Sequence, residues 1–316
     1  MKKKIIAAGL GLALAVALTG CGGDKGDTGT DLIKVGFSQL GAESGWRTAN
    51  TESVQASLSK ENGFDLTFVD AQQKQENQIK ALRDFIQQDV DVIAFSPVVE
   101  TGWDEVLQEI KDAGIPLVLV DRNVNTSVVD PYVTWIGADF KLEGTMAGQW
   151  VAANYPDAKI FELQGTMGSA PQLDREAGFD AEVGVENIIG RATGNFTRAE
   201  GKAATEAALQ AYPEMNLIFA HNDDMGLGAV EAIKAAGKVP GVDIIIVTVD
   251  GVRAGMQALV DGEFNYIVEC NPVFGDQIAG LIKDIMAGKS VPKTTIVVDA
   301  AFDQTITQAF VDARAY

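Results

Sequence analysis

From Asp31 onward, short apolar, β-branched runs alternate with longer stretches of mixed polarity. The first runs are Ile33–Phe37, Leu66–Val69, Val90–Phe95 and Leu117–Val120. Each leads into a stretch with helical spacing, of which Trp46–Asn62, Gln75–Gln88 and Trp103–Ala113 are the clearest. A second series of strands is predicted near Tyr132–Ile136, Lys159–Leu163, Ile188–Ala192, Asn216–Ala220 and Ile244–Val249, with short late strands near Asn265–Glu269 and Thr294–Val298. Its helices fall near Leu142–Asn154, Ala170–Glu186, Arg198–Ala211, Met225–Ala236 and Val252–Val260. Nearly continuous apolar strands between amphipathic helices predict an α/β fold with parallel sheets covered on both faces. An eight-stranded barrel competes with two α/β lobes. The strand count and the break near Ile136–Gly137 favour two lobes.

The first residues set the compartment. Lys2, Lys3 and Lys4 precede an apolar stretch, Ile5–Ala17, too short to span a bilayer comfortably and suited to a signal peptide. Leu18-Thr19-Gly20-Cys21 resembles a lipobox. We therefore expect residues 1–21 to be a lipoprotein leader and Cys21 to carry lipid; the competing reading is an ordinary signal peptide with an incidental cysteine. Residues 22–31, rich in glycine and polar side chains, read as a flexible tether. The expected location is outside the cell's cytoplasm, anchored at the outer face of the cytoplasmic membrane. Lipid on Cys21 leaves the one other cysteine, Cys270, without a disulfide partner, as a small buried hydrophobe. The net charge of −19 argues against nucleic acid and against adhesion to anionic lipid.

In parallel α/β sheets, ligands sit beyond the carboxyl ends of the strands. Those ends carry Ser38-Gln39 with the loop Glu43-Ser44-Gly45-Trp46-Arg47, then Asp121-Arg122-Asn123, Gln164-Gly165 with Asp174-Arg175, His221-Asn222-Asp223-Asp224, Asp250-Gly251 and Glu269-Cys270-Asn271. Phe37, Trp46 and Phe196 lie near them. Carboxylates that accept, guanidiniums and amides that donate, and aromatic faces for C–H surfaces together suit a neutral polyol. Taken singly, these residues have structural readings too. Asp121-Arg122 reads as an internal ion pair, Asp223 or Asp224 as a helix cap, Asp250-Gly251 as a turn and Trp46 as core. Enzyme motifs are scarce. The single histidine, His221, supports no His-rich metal site, and a lone His at a strand end is more often structural. No G-x-S-x-G elbow, Walker A sequence or complete dinucleotide fingerprint occurs. A glycosidase is not excluded by counting carboxylates.

These segments resemble the type I periplasmic sugar-binding proteins, the ribose- and galactose-binding group. The resemblance runs from Asp31 to Tyr316 and is nearest to the galactofuranose-binding branch of ABC importers. It is carried by Val35-Gly36-Phe37-Ser38-Gln39, Glu43-Ser44-Gly45-Trp46-Arg47, Gln72–Gln78, Asp121-Arg122, Glu162–Thr166, His221–Met225 and Asp250-Gly251-Val252. It implies two Rossmann-like lobes joined by a three-segment hinge near Gly137, Asn271 and Asp299. The lobes would be residues 32–136 plus 271–298, and 137–270 plus 299–316. It implies a monosaccharide held by Glu43, Trp46, Arg47, Asp121 and Arg122 from one lobe and by Arg175, Asn222 and Asp250 from the other. Trp46, with Phe37 and Phe196, would stack on the sugar. Gln39, Gln164, Asp174, Glu269 and Asn271 would stand close by, as contacts or just behind them. The implied partners are an ABC permease and its ATPase; no cofactor, catalytic group or metal is implied, and the chain is expected to act as a monomer. Alternatives are a sugar sensor that feeds a membrane receptor, or an exported sugar-active enzyme. A sugar-responsive repressor of this fold is disfavoured by the leader and tether.

Overall fold

The computed structural model describes residues 32–316; the expected leader, Cys21 and the tether lie outside the described residues. The apolar runs become two sheets. In the first, strands β1 (Ile33–Gln39), β2 (Phe64–Asp70), β3 (Val92–Phe95), β4 (Leu117–Val120), β5 (Thr134–Gly137) and β11 (Thr294–Ile296) lie in the order β11-β5-β4-β3-β1-β2. In the second, β6 (Ile160–Gln164), β7 (Ile188–Thr193), β8 (Leu217–Ala220), β9 (Ile245–Asp250), β10 (Tyr266–Glu269) and β12 (Ala301–Asp303) lie in the order β12-β10-β9-β8-β6-β7. Every neighbour pair is parallel except β10 with β12. The sheets are thus parallel-dominated, as expected, with one antiparallel edge. That edge arises because the chain crosses from β11 in the first sheet to β12 in the second within a few residues, too few for the helical crossover that a parallel partner requires.

Helices α1 (Gly45–Ser57), α2 (Gln75–Gln87), α3 (Asp104–Asp112), α4 (Phe140–Asn154), α5 (Ala170–Val183), α6 (Arg198–Ala211), α7 (Asp223–Ala235), α8 (Arg253–Val260), α9 (Gly275–Met286) and α10 (Gln308–Asp312) cover the sheets. Central strands β3, β4, β6, β8 and β9 are buried along their whole length; β3, β4 and β8 are wholly apolar, whereas β6 and β9 also bury Glu162, Gln164, Thr248 and Asp250. Aromatic pairs fill the layers: Phe95 meets Trp103 edge-on at 5.2 Å, and Phe179 stacks on Phe219 at 4.0 Å.

Several boundaries move for local reasons. The predicted helix to Glu186 stops at Val183 because Gly184 follows with φ 77°, a left-handed stop that glycine makes without strain. The predicted Trp46–Asn62 helix ends at Ser57, and a short 3-10 turn covers Lys60–Asn62. Helix α9 is absent from the alternation read above. It packs on α1 and begins at Phe274 with no side-chain cap, so its start carries no sequence signal.

In the first sheet β1 lies between β2 and β3, and in the second β6 lies between β7 and β8. Chain order reverses at these places, where a crevice opens beyond the carboxyl ends of the strands.

Candidate functional site

The carboxyl ends of both sheets meet around one small cavity. After β1 the chain loops to Ser44, whose hydroxyl caps α1 by accepting from the Arg47 amide at 3.1 Å. This cap sets Glu43, Ser44, Trp46 and Arg47 on the cavity wall. Beyond β4, Asp121 and Arg122 join them. From the second sheet's side come Arg175 on α5, Phe196 after β7, Asn222 at the start of α7 and Asp250 at the end of β9. Asp121 (φ 63°), Phe196 (φ 62°) and Asp250 (φ 125°) hold backbone conformations that side chains rarely adopt. Such strain gathers where a side chain must be aimed rather than packed.

Charge is paired within the wall. Arg47 donates from Nη2 to Asp121 Oδ2 at 2.7 Å and from Nε to Glu43 Oε1 at 3.1 Å. Burial alone would pull the Arg47 guanidinium down, but Asp121 and Glu43 outweigh it and hold it above its ordinary value. Arg122 donates to the Val98 carbonyl at 3.0 Å and stands 3.8 Å from Glu43. Burial and the nearby Arg47 pull it down to about 10, so it stays protonated at neutral pH. Arg175 donates from Nε to Glu143 Oε2 at 2.6 Å and from Nη1 to the His221 carbonyl at 2.5 Å, with Asp250 at 3.9 Å. Burial pushes the Asp250 carboxyl well up, against the pull of Arg175. Each guanidinium also faces a ring: Arg47 over Trp46 at 4.6 Å, Arg122 over Phe196 at 5.1 Å and Arg175 over Phe140 at 5.3 Å. One face of Trp46 is thus occupied by a cation, and its Nε1 donates to the Cys270 carbonyl at 2.6 Å.

Among the described residues, three charged atoms of this wall are buried with no hydrogen-bond partner in the protein: Glu43 Oε2, Arg47 Nη1 and Arg122 Nε. Buried charged atoms without hydrogen bonds are costly, on the order of 1–3 kcal/mol each or more. They are an acceptor and two donors on the wall of one cavity.

The eight residues expected to face a ligand, together with Phe196, all line the cavity. Asn222 does so while serving the fold: its Oδ1 caps α7 at the Met225 amide (3.0 Å), and its Nδ2 donates to the Phe196 carbonyl (3.1 Å). The cap is therefore Asn222, not Asp223 or Asp224. Asp223 instead accepts from Thr248 Oγ1 (2.5 Å) and the Val252 amide (2.8 Å), tying α7 to β9.

Other expected neighbours are held elsewhere. Phe37 is fully buried and stacks on Phe68 at 5.7 Å, because β1 runs on two residues past it and leaves it inside the sheet. Gln39 donates to Asn50 and Thr51 of α1, and Gln164 donates to Glu176. Asp174 is partly exposed on α5, beside Glu100. Glu269 accepts from Arg314 and from the Tyr316 hydroxyl at 2.7 Å. Asn271 is bound through its amide to Asp299 at 3.0 Å. None of these six lines the cavity. His221 is structural, buried against Glu162 at 2.8 Å. Ser44, Phe140, Pro171 and Cys270 line the cavity without having been singled out as ligand residues. Ser44 and Cys270 lay inside segments read as strand-end loops, which was the available signal. Phe140 and Pro171 sit in the first turns of α4 and α5, where an apolar residue reads as core.

A family model described as "periplasmic binding protein domain" matches residues 35–290. The galactofuranose-binding protein YtfQ of Escherichia coli (strain K12) is 45% identical over 248 residues, 76% of this chain and 78% of that protein. A Mycobacterium smegmatis protein in complex with β-D-fucofuranose is 54% identical, with a TM-score of 0.84 over 89% of this chain and 93% of that one. The periplasmic binding component of the arabinose ABC transporter from Shewanella sp. ANA-3, bound to α- and β-L-arabinofuranose, is 45% identical, with a TM-score of 0.85 over 89% and 95%. The chain belongs to the periplasmic binding protein family, and its two parallel-dominated sheets form the type I fold of that family.

Proposed function

We propose that this periplasmic binding protein captures a monosaccharide in furanose form and delivers it to an ABC importer. The observation that carries this reading is the trio of unpartnered buried atoms, Glu43 Oε2, Arg47 Nη1 and Arg122 Nε. A sugar hydroxyl donates to the first and accepts from the others, so one neutral polyol satisfies all three. Three guanidiniums face three carboxylates across the wall, which disfavours a strongly anionic ligand. The three relatives named above all carry furanose sugars in their names or complexes.

In this reading Glu43, Trp46, Arg47, Asp121 and Arg122 hold the sugar from a lobe of residues 32–136 plus 271–298. Arg175, Asn222 and Asp250 hold it from a lobe of 137–270 plus 299–316, with Phe140 and Phe196 beside its apolar face. The lobes close by a hinge near Gly137, Asn271 and Asp299. The protein binds and releases without turnover, as a monomer docking on a permease and its ATPase. The leader is cleaved before Cys21 and lipid on Cys21 anchors the exported chain, with residues 22–31 as tether.

The test is a thermal-shift screen of the purified protein, stripped of ligand by unfolding and refolding, against galactose, arabinose, fucose, ribose, fructose and glucose. A sugar at about a hundred times its Kd adds roughly 2.7 kcal/mol, about 5 °C for a chain of this size. A shift with galactose, fucose or arabinose that is lost in Arg122→Ala supports the reading. No shift with any neutral sugar overturns it.

A further inference from the structure

Four cavity-lining side chains, Glu43, Ser44, Trp46 and Arg47, sit on one short segment after β1. The residue in its middle, Gly45, has no side chain to anchor. Its amide donates instead to Asp224 Oδ2 at 2.7 Å. Asp224 belongs to the first turn of α7, in the half of the molecule built on the second sheet, and does not line the cavity. Gly45 is the first residue of α1, so its amide has no acceptor within that helix. A carboxylate shared between the starts of α1 and α7 is favoured by both helix dipoles. Other contacts also join the halves nearby: the Glu100 amide donates to the Gly168 carbonyl at 2.9 Å, Arg122 faces Phe196, and the Trp46 side chain donates to the Cys270 carbonyl at 2.6 Å. Among these, the Asp224 contact is the one that grips the backbone of the segment bearing the binding side chains.

We propose that Asp224 is a positioning residue that sets sugar affinity without touching the sugar. From one lobe it fixes the backbone of the Glu43–Arg47 segment of the other, so the aim of Glu43 and Arg47 depends on closure. The inference rests on the sugar-binding reading of the cavity. The charges around Asp224 sharpen its test. Glu43 is a repelling neighbour, Asp223 and Asp250 are raised by it in turn, and Arg198 opposes them. If Asp224 acted only as one more negative charge beside Glu43, its removal would not weaken binding.

The experiment compares wild type with Asp224→Ala and Asp224→Asn. Sugar Kd is measured by calorimetry, dissociation by stopped flow, and melting without sugar by calorimetry. Loss of a hydrogen bond to a charged group predicts a Kd raised about tenfold or more in Asp224→Ala. The rise lies mainly in koff, and Asp224→Asn, whose Oδ1 still accepts, falls between the two. Melting of the ligand-free protein drops by no more than about 2 °C, the share of one first-turn acidic residue. An unchanged Kd in Asp224→Ala overturns the proposal. So does a weakened Kd accompanied by a much larger fall in ligand-free melting, which marks a general folding role. If wild type binds no sugar, the reading of the cavity fails separately. Amide exchange of residues 41–47 without ligand then decides on the clamp: faster exchange in Asp224→Ala than in wild type supports it, and equal exchange rejects it.

Discussion

Replacing Asp121 by alanine tests whether the cavity wall is an interlocked charge cluster. Asp121 Oδ2 accepts from Arg47 Nη2 at 2.7 Å and from Ser96 Oγ at 3.3 Å, and stands 3.9 Å from Arg122 Nε. All four side chains are buried. Removing one partner of a buried pair leaves an uncompensated charge and costs about 3–5 kcal/mol. Arg47 would keep Glu43 at 3.1 Å, whereas Arg122 would keep only Glu43 at 3.8 Å, so the lower end of that range applies. About 3 kcal/mol lowers the melting temperature by roughly 5 °C in a chain of this size. The assay is calorimetric unfolding without ligand, with sugar Kd measured on the same protein. Asp121→Asn separates geometry from charge, since its amide oxygen still accepts from Arg47; it should melt between the other two. A ligand-free melting point within 2 °C of wild type in Asp121→Ala would refute the reasoning, because the two guanidiniums would then be compensated by water or by each other's partners.

Two further predictions use other parts of the site. A methyl group at Gly165 would sit 1.9 Å from the Phe196 ring, so Gly165→Ala must displace that ring from the cavity wall. It should cost about 1–3 kcal/mol of stability and weaken sugar binding, and a crystal structure with Phe196 unmoved and Kd unchanged would contradict this. Asp299 is pushed up to about 8 by burial, with Glu143 adding to it, against an ordinary value of 3.8. The folded protein therefore holds this proton where the unfolded chain has lost it. Its contribution to stability is fully present below about pH 4 and is lost as pH rises toward 8, at up to about 1.4 kcal/mol per pH unit. Asp299→Asn keeps an acceptor for the Asn271 amide but cannot titrate. Denaturant unfolding between pH 5 and 8 should show a flatter pH slope for the variant than for wild type; equal slopes would show that Asp299 is ionised in the fold.

What the sequence could and could not reveal follows from how each residue is held. Asp121, Asp250 and Asn222 were legible because a mainly apolar run gives way to polar residues there, and in a parallel sheet that point is also where the chain leaves toward the crevice. The same rule misplaced Phe37. It belongs to a strand whose pairing continues through Gln39↔Asp70, and residues short of a strand's end point into the layers, not out of the crevice. Gln164, Glu269 and Asn271 show a second limit. They do stand at or just beyond strand ends, but neighbours far along the chain claim their polar groups: Glu176, Arg314 with Tyr316, and Asp299. No local pattern records such pairings. Phe140 and Pro171 mark a third limit. Helix starts face the same crevice as strand ends, so an apolar residue in a first turn lines the cavity as readily as it fills the core. Asp224 combines the second and third limits. Its type and position read as an ordinary first-turn carboxylate, and its partner is a backbone amide of a glycine on the other sheet's side, which no side-chain inventory can contain. The residues that line the cavity can be read from strand ends, while contacts such as that of Asp224 with the Gly45 amide are visible only once both sheets are set against each other.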